Sequence, residues 1–299
     1  MSKLNFPAPI FSFNSAYSSA VADLNNDSLD DVLVTNGWLT RSGKGNLDAL
    51  FLQNKYDIPE DGDEQDPPVG RRFKNEISEL CRSGYSFSGF QRNRCMLQMD
   101  PGHFANYSGG AGFDFLEDSR AIATTDWDWD GDVDVILTCR TAPRFRIMRN
   151  NLKTNNFHLS IQLKGTVSNR DAIGSRVELF VAGRDLPIVK SLSAGSGRAS
   201  QSSKRLHFGL GKSSRIQKAI VHWPNGQSQE FKDLQANKIY SITEGRNEPA
   251  EISNSRSKVA LAAGSIPVKK GLSPRKSIAF YPTTRLPVSY THLTLPTKA

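Results

Sequence analysis

Short runs in which apolar and polar residues alternate make up most of the chain, and this period of two predicts β-strands. In the first run of the C-terminal half, Leu159, Ile161 and Leu163 fall on one side. Seven such runs follow one another, at residues 157–165, 176–182, 186–192, 205–208, 216–223, 228–231 and 238–243. Turn residues separate them, as in the PNGQ run after Trp223. Consecutive short strands of this kind predict a small β-sandwich or barrel domain over residues 156–245.

Residues 1–155 have a similar β-rich pattern, built around two matching segments. Residues 20–34 and residues 123–137 each begin with small residues, pass through an Asp-rich stretch and end in β-branched or apolar residues. Each is followed by a second short run that ends in Asn, at residues 49–54 and 146–150. A weaker repeat, FKNEIS and FANYS, begins at Phe73 and Phe104. Repeated short β units predict a partial β-propeller-like region and, with the second domain, an all-β fold.

The chain beyond residue 245 loses this alternation and is rich in Ser, Pro, Lys and Arg, so residues 246–299 are predicted to be a disordered basic tail. Its last residues, from 287 onward, resemble translated adapter sequence, and we expect this end to be non-native. The formal net charge of +8 is concentrated in this tail. Because the predicted folded part lacks a basic face, we expect no nucleic-acid partner.

Compartment and membrane association are addressed by three further features. No apolar run approaches the ~20 residues that a membrane helix requires, so no membrane span is expected. The first residues lack the apolar core of a secretory signal, which leaves a cytoplasmic protein or, as we prefer, a fragment without its true N-terminus. The three cysteines, Cys81, Cys95 and Cys139, leave at least one unpaired, and a Cys81–Cys95 disulfide stays open.

The two Asp-rich stretches carry the candidate chemistry, and we number each from its first Asp. Loop one offers side-chain oxygens at positions 1, 3, 5 and 9 and a carbonyl at position 7: Asp23, Asn25, Asp27, Asp31 and Leu29. Loop two offers the same set: Asp126, Asp128, Asp130, Asp134 and Asp132. Calcium binds six to eight oxygens, and alternate residues of a tight loop can direct oxygens inward. The pattern therefore predicts two Ca²⁺ sites.

An acidic surface turn is the alternative, because Asp and Asn favour turns in any case. Loop two argues against it, since five aspartates within nine residues repel one another unless a cation lies among them. An EF-hand is excluded, because that loop needs Glu at position 12 and these have Val34 and Leu137. The residues that follow each loop are strand formers and do not favour a helix.

At this point the residues show a family resemblance. The Asp loops, each followed by a strand, resemble FG-GAP/VCBS repeats of integrin-type propellers. Four motifs in order resemble the ASPIC/UnbV domain: NRDAIGSRV at 169–177, GRASQS at 197–202, LHFGLG at 206–211 and VHWPNG at 221–226. The combination is similar to the cartilage acidic protein family. This resemblance implies an extracellular calcium-binding protein without an established catalytic activity.

The sequence thus predicts a secreted or cell-surface adhesion or interaction module that presents a surface to a protein or glycan. We expect no enzymatic activity, because the conspicuous aspartates are already assigned as ligands. The alternatives are a hydrolase acting on carbohydrate and a metal-stabilised structural spacer. Trp127 and Trp129 are expected either to pack between blades or to stack on sugar. His207 and His222 lie in neighbouring predicted strands, but no third ligand completes a zinc set.

Overall fold

The computed structural model describes residues 16–41, 45–47, 69–253 and 288–292. In this part the fold is all-β apart from one helix, which confirms the predicted fold class. The helix, α1, spans Val69–Arg82. The strands in chain order are β1 (Ala16–Ala22), β2 (Asp31–Asn36), β3 (Arg94–Asp100), β4 (His103–Asn106), β5 (Ser119–Thr125), β6 (Asp134–Cys139), β7 (Phe145–Asn150), β8 (Phe157–Lys164), β9 (Arg176–Val181), β10 (Ile188–Ser191), β11 (Arg205–Gly211), β12 (Ile216–His222), β13 (Ser228–Phe231), β14 (Lys238–Thr243), β15 (Ala250–Glu251) and β16 (Val288–His292).

The N-terminal half supplies seven of the eight strands of two four-stranded antiparallel sheets, and β16 from the end of the chain supplies the eighth. Sheet I has the order β1-β2-β3-β4, and sheet II has the order β16-β7-β6-β5. A shared apolar cluster fills the space between them, and its largest fully buried members are Phe113, Leu33, Ile122 and Leu137. The sheets are also joined by polar contacts, as where Thr35 Oγ1 donates to the Arg120 carbonyl at 2.9 Å. The two Asp loops therefore emerge from sheets that share one core.

One of the predicted repeats in this half is wrong. The FKNEIS run lies inside α1, where Ile77, Leu80 and Cys81 follow a helical spacing, whereas the FANYS run begins in strand β4. The run at residues 49–54 lies outside the described residues. Strand β2 pairs with β1 on one side and with β3 on the other, and β3 comes after the helix in the chain.

The C-terminal half is a β-sandwich. Sheet III has the order β10-β9-β12-β13, and sheet IV has the order β11-β8-β14-β15, with β14 parallel to β8. All seven predicted strands are present, and the residues predicted to face inward are buried, as for Leu159, Ile161 and Val177. Side chains of both sheets form one cluster that includes Phe208 and Phe231. In the described residues neither sheet closes on itself, so of the two predicted forms the sandwich is correct.

Two short segments of the predicted disordered tail form strands. Strand β15 pairs with β14, and β16 pairs antiparallel with β7 at the edge of sheet II. The rest of the tail beyond residue 253 lies outside the described residues. Within the described residues, these two segments of the predicted tail are paired with strands of the folded part.

The cysteines are unpaired, and the described helix is not a membrane span. Cys81, Cys95 and Cys139 are all buried and free, so the disulfide that the sequence left open is not formed. In the part of the chain that the structure describes, no helix combines the length and the apolar character needed to cross a bilayer.

Glu244 fastens one end of the sandwich. Its Oε2 accepts the backbone N–H groups of Thr166, Val167 and Ser168 at 2.7, 2.9 and 2.8 Å. Its Oε1 accepts from Ser168 Oγ at 2.7 Å and from Asn225 Nδ2 at 2.8 Å. Burial raises the pKa of Glu244, but the N–H donors outweigh it and lower this pKa to about 2. The charged form is therefore the one that the fold stabilises.

We expect Glu244→Gln to lower the melting temperature by several degrees at neutral pH, because an amide NH₂ then faces N–H donors. Since the pKa is lowered on folding, the charged Glu244 stabilises the fold above its ordinary pKa of 4.5. This contribution is lost as the pH falls from about 4.5 towards about 2, so the two proteins should converge there. Melts of both proteins across this range, with the exposed surface variant Glu248→Gln as control, measure the effect. Equal melts at neutral pH would contradict it.

Candidate metal centre

The two Asp loops have the same backbone shape. Loop one connects β1 to β2, and loop two connects β5 to β6. At position 4 both loops are left-handed, with φ of 60° at Asn26 and 64° at Trp129. Position 6 is left-handed as well, with φ of 76° at Ser28 and 92° at Gly131. The structure thus confirms that the two segments matched in the sequence are equivalent loops.

The aspartates at position 9, Asp31 and Asp134, fasten the loops to their sheets. One oxygen of each accepts the N–H of the residue that follows the first Asp, at 2.8 Å in both loops. The other oxygen accepts an N–H from the adjacent strand, from Gln98 at 2.9 Å in loop one and from Asn150 at 2.7 Å in loop two. Both side chains are almost fully buried. Although the sequence predicted them as ligands, the contacts of these two residues are with backbone N–H groups.

The other oxygens of loop one are occupied by the loop itself. Asp23 Oδ1 accepts the Asp27 N–H at 3.1 Å, and Asp23 Oδ2 accepts the Ser28 N–H at 2.8 Å. Asp27 Oδ1 accepts the N–H of Leu29, and Asp27 Oδ2 accepts the amide of Asn25, both at 2.8 Å. The predicted ligands of loop one therefore lie together, in a loop that its own donors hold closed.

Loop two differs in having carboxylate oxygens without donors. Asp126 is 5% exposed, and within the described residues neither of its oxygens makes a hydrogen bond of ordinary geometry, although the Trp129 N–H lies near enough to lower its pKa. Asp128 Oδ1 is likewise buried and makes no hydrogen bond of ordinary geometry. Ligand atoms of Asp126, Asp128 and Asp130 lie within 4.8 Å of one another. Three carboxylates this close, one of them buried and unpartnered, fit an oxygen-ligated cation.

Asp132, the predicted position 7 of loop two, extends towards loop one. Its Oδ1 accepts a hydrogen bond from Asn26 Nδ2 at 3.0 Å, and the same amide donates to the Gly131 carbonyl at 3.1 Å. The N–H of Asp132 donates to Asp130 Oδ1 at 3.0 Å. The two loops are therefore in direct contact, and loop two is shaped partly by loop one.

Burial and mutual repulsion make these carboxyl groups hard to ionise. Burial is the largest cause at each of them, and it raises the pKa of Asp126 and Asp132 to about 6 and that of Asp134 to about 7. In loop one, burial raises the pKa of Asp23 to about 7 and that of Asp31 to about 6. Neighbouring aspartates add to the increase. A divalent cation at the loop would reverse this balance, because it stabilises the charged carboxylates around it.

The basic group closest to loop two is one that the sequence analysis missed. Arg149 Nη2 lies 2.6 Å from Asp128 Oδ2 and 3.0 Å from Asp130 Oδ2. It belongs to β7, at the position where β3 beside loop one has Leu97. The guanidinium is half-exposed and neutralises part of the acidic cluster. The sequence signal for this contact is weak: Arg149 is a basic residue directly before the Asn that ends the run at 146–150.

The aromatic and histidine side chains take places that the sequence left open. Trp127 is 56% exposed, whereas Trp129 lies beneath the guanidinium of Arg205, 4.4 Å from the ring centroid. His207 stacks on His158 with ring centroids 5.7 Å apart, and it does not meet His222. Together these contacts bring the sandwich against loop two.

The fold and the loops define an all-β protein with two paired Asp loops and one cluster of carboxylates suited to a cation. Residues 165–249 of the chain match the family model described as ASPIC and UnbV. The match covers most of the sandwich and confirms the resemblance predicted for that part of the chain. A search of curated proteins gave no match to the chain.

Proposed function

We propose that the protein is a calcium-binding interaction module. The observation that carries the proposal is Asp126, whose two buried oxygens make no hydrogen bond of ordinary geometry and lie in reach of Asp128 and Asp130. Leaving a buried carboxylate unpartnered is costly, and a bound cation removes that cost. Calcium suits the site because the donors are oxygens and because a loop can adjust to a flexible shell, whereas magnesium demands a tight octahedron.

We extend the proposal to the family of the N-terminal half. Two equivalent loops on two antiparallel four-stranded sheets are what FG-GAP/VCBS repeats of a propeller would supply. With the ASPIC/UnbV match, this gives the arrangement of proteins similar to cartilage acidic protein. A secreted or cell-surface location follows, because extracellular calcium suits weak oxygen sites.

The proposed partner is an extracellular protein or glycan, and the module binds it without catalysis. Exposed aromatic side chains support contact surfaces at both ends of the sheets: Trp127 in loop two is 56% exposed, and at the opposite end Phe90 is 54% and Trp38 52% exposed. A metal-stabilised spacer is the second candidate, since the loops pack against the sandwich. A glycan array probed with calcium and with chelator separates the two, because a spacer would bind nothing in either condition.

Calorimetric titration with calcium tests the central proposal. We expect a dissociation constant of roughly 10⁻⁴–10⁻³ M for the wild type. At calcium ten times that constant, the free energy of unfolding should rise by about 1.4 kcal/mol for each site, and the melting temperature by several degrees. Magnesium should substitute poorly.

The double variant Asp128→Ala, Asp130→Ala should lose the calcium heat of loop two and its thermal response, while the sandwich stays folded. Asp171→Ala with Asp185→Ala removes the same charge from the sandwich, and this control should bind as the wild type does. A wild type with no binding heat and with equal melts in calcium and chelator would show that the loops are only acidic turns.

A further inference from the structure

We propose that the sandwich is a docking domain for the two Asp loops, and that cation binding at loop two is coupled to this docking. The proposal rests on the proposed function for its cation. It assigns a role to the LHFGLG segment at residues 206–211 and to Arg205 just before it. Their partner is the pair of loops in the same chain.

Loop one sits on a glycine surface of β11. A Cβ added at Gly209 would overlap Asp23 Oδ2 and lie 2.7 Å from the Asn26 Cα. The N–H of Gly211 donates to the Asn26 carbonyl at 2.8 Å. The absence of side chains at these positions therefore allows the loop backbone to reach the strand. In addition, Lys190 of β10 pairs with Asp30 at the end of loop one.

Asn26 connects all three parts of the interface. Its side-chain amide reaches loop two at the Gly131 carbonyl and at Asp132, as described above. Its Oδ1 lies 2.6 Å from His207 Nε2, and His207 Nδ1 lies 3.1 Å from Ser160 Oγ. Asn26 is 2% exposed and has a left-handed φ of 60°. This one side chain thus links loop two to the strands of sheet IV.

Arg205 contacts loop two directly at a proposed ligand. Its Nη2 donates to the Asp126 carbonyl at 3.0 Å. Its guanidinium lies over the ring of Trp129, which stands in the sequence between the proposed ligands Asp128 and Asp130. The N–H of Ser203 donates to the Thr124 carbonyl at 2.9 Å, just before the loop. The sandwich therefore holds the backbone and the ring that fix the positions of Asp126, Asp128 and Asp130.

The coupling follows from these shared groups. The loop conformation that brings the carboxylates together is the one on which Arg205 and Asn26 make their contacts. A cation that selects this conformation strengthens docking, and by linkage docking strengthens cation binding by the same factor. Coupling of this kind is commonly worth about 5- to 150-fold in affinity.

The test variant is Gly209→Ala in the full chain. Gly209 is not left-handed, so the strand accepts alanine, and the atoms nearest the added Cβ belong to Asp23 and Asn26 of loop one, none of them to a proposed ligand of loop two. The calcium heat of loop two is therefore the one to compare. We expect calcium affinity to weaken about tenfold. We also expect the amides of Ser203 and Gly211 to exchange hydrogen at least about tenfold faster. In the wild type, exchange at both amides should be slower in calcium than in chelator. Gly195→Ala is the matched control, because no atom lies within 4 Å of its added Cβ.

A second variant tests the same interface in case Gly209→Ala does not fold. Asn26→Gly keeps the left-handed backbone and removes the connecting side chain, so the same losses are expected. Asp233→Gly is its control, at a φ of 62° on an exposed connection of the sandwich.

The outcomes separate the two proposals. Faster exchange with unchanged calcium affinity would overturn the coupling, and unchanged exchange in both variants would overturn the docking role. No calcium heat in the wild type would overturn the proposed function together with the coupling. The exchange rates in chelator would still decide the docking role.

Discussion

Replacing Gly131 of loop two with alanine is expected to lower the free energy of unfolding by about 3 kcal/mol, because the added methyl group meets two separate penalties. Gly131 has a φ of 92°, and a left-handed backbone costs an ordinary residue about 1–2 kcal/mol. The new Cβ would also overlap the ring of His158, and overpacking of this kind costs about 1–3 kcal/mol. His158 cannot move aside freely, because it is stacked on His207.

Two matched variants separate these causes. Gly183 has a φ of 86° and nothing within 4 Å of an added Cβ, so Gly183→Ala should show the backbone cost alone. Adding His158→Ala to Gly131→Ala should recover the part that is due to overlap, as a double-mutant cycle. Denaturant unfolding of the wild type, the three single variants (His158→Ala among them) and the double variant gives the comparison. If Gly131→Ala costs no more than Gly183→Ala, the sandwich does not press on loop two as the structure indicates.

Most of the sandwich was predictable because its signal is local. Alternation places every second side chain on one face, and the residues so identified, such as Leu159 and Val177, are fully buried. The Asp loops were predictable for a similar reason, since the ligand spacing and the following strand lie within one short segment. Glycine at position 6 of loop two is of the same local kind, since Gly131 has a φ of 92° at the turn.

What the sequence could not show depends on contacts between distant segments. Arg149 reaches loop two only because β7 pairs with β6. Asn26 meets His207 only because β11 lies against loop one. The contacts of Asp31 and Asp134 could not be read from the sequence for a related reason. Their partners are backbone N–H groups, which every residue except proline carries and which no motif records.

Arg149→Leu is expected to tighten calcium binding at loop two by about ten- to thirtyfold. In the wild type the guanidinium pairs with Asp128 and Asp130, so it must leave both before an ion can take their oxygens. Two unit charges about 4 Å apart interact by about 1 kcal/mol even in bulk water, and a divalent ion doubles that repulsion. Leucine is the residue that loop one already has at the equivalent position, Leu97, which argues that the strand tolerates it.

The difference in melting temperature between Arg149→Leu and the wild type should change sign when calcium replaces chelator. In chelator, Arg149→Leu should melt below the wild type, because Asp128 and Asp130 have lost their neutralising partner. In saturating calcium it should melt at or above the wild type, because the ion replaces the guanidinium more strongly. Arg144→Leu removes the same charge from the exposed turn before β7, so it should leave both the calcium affinity and the order of melting temperatures unchanged. If the affinity of Arg149→Leu equals that of the wild type, the guanidinium swings away without cost and does not compete with calcium.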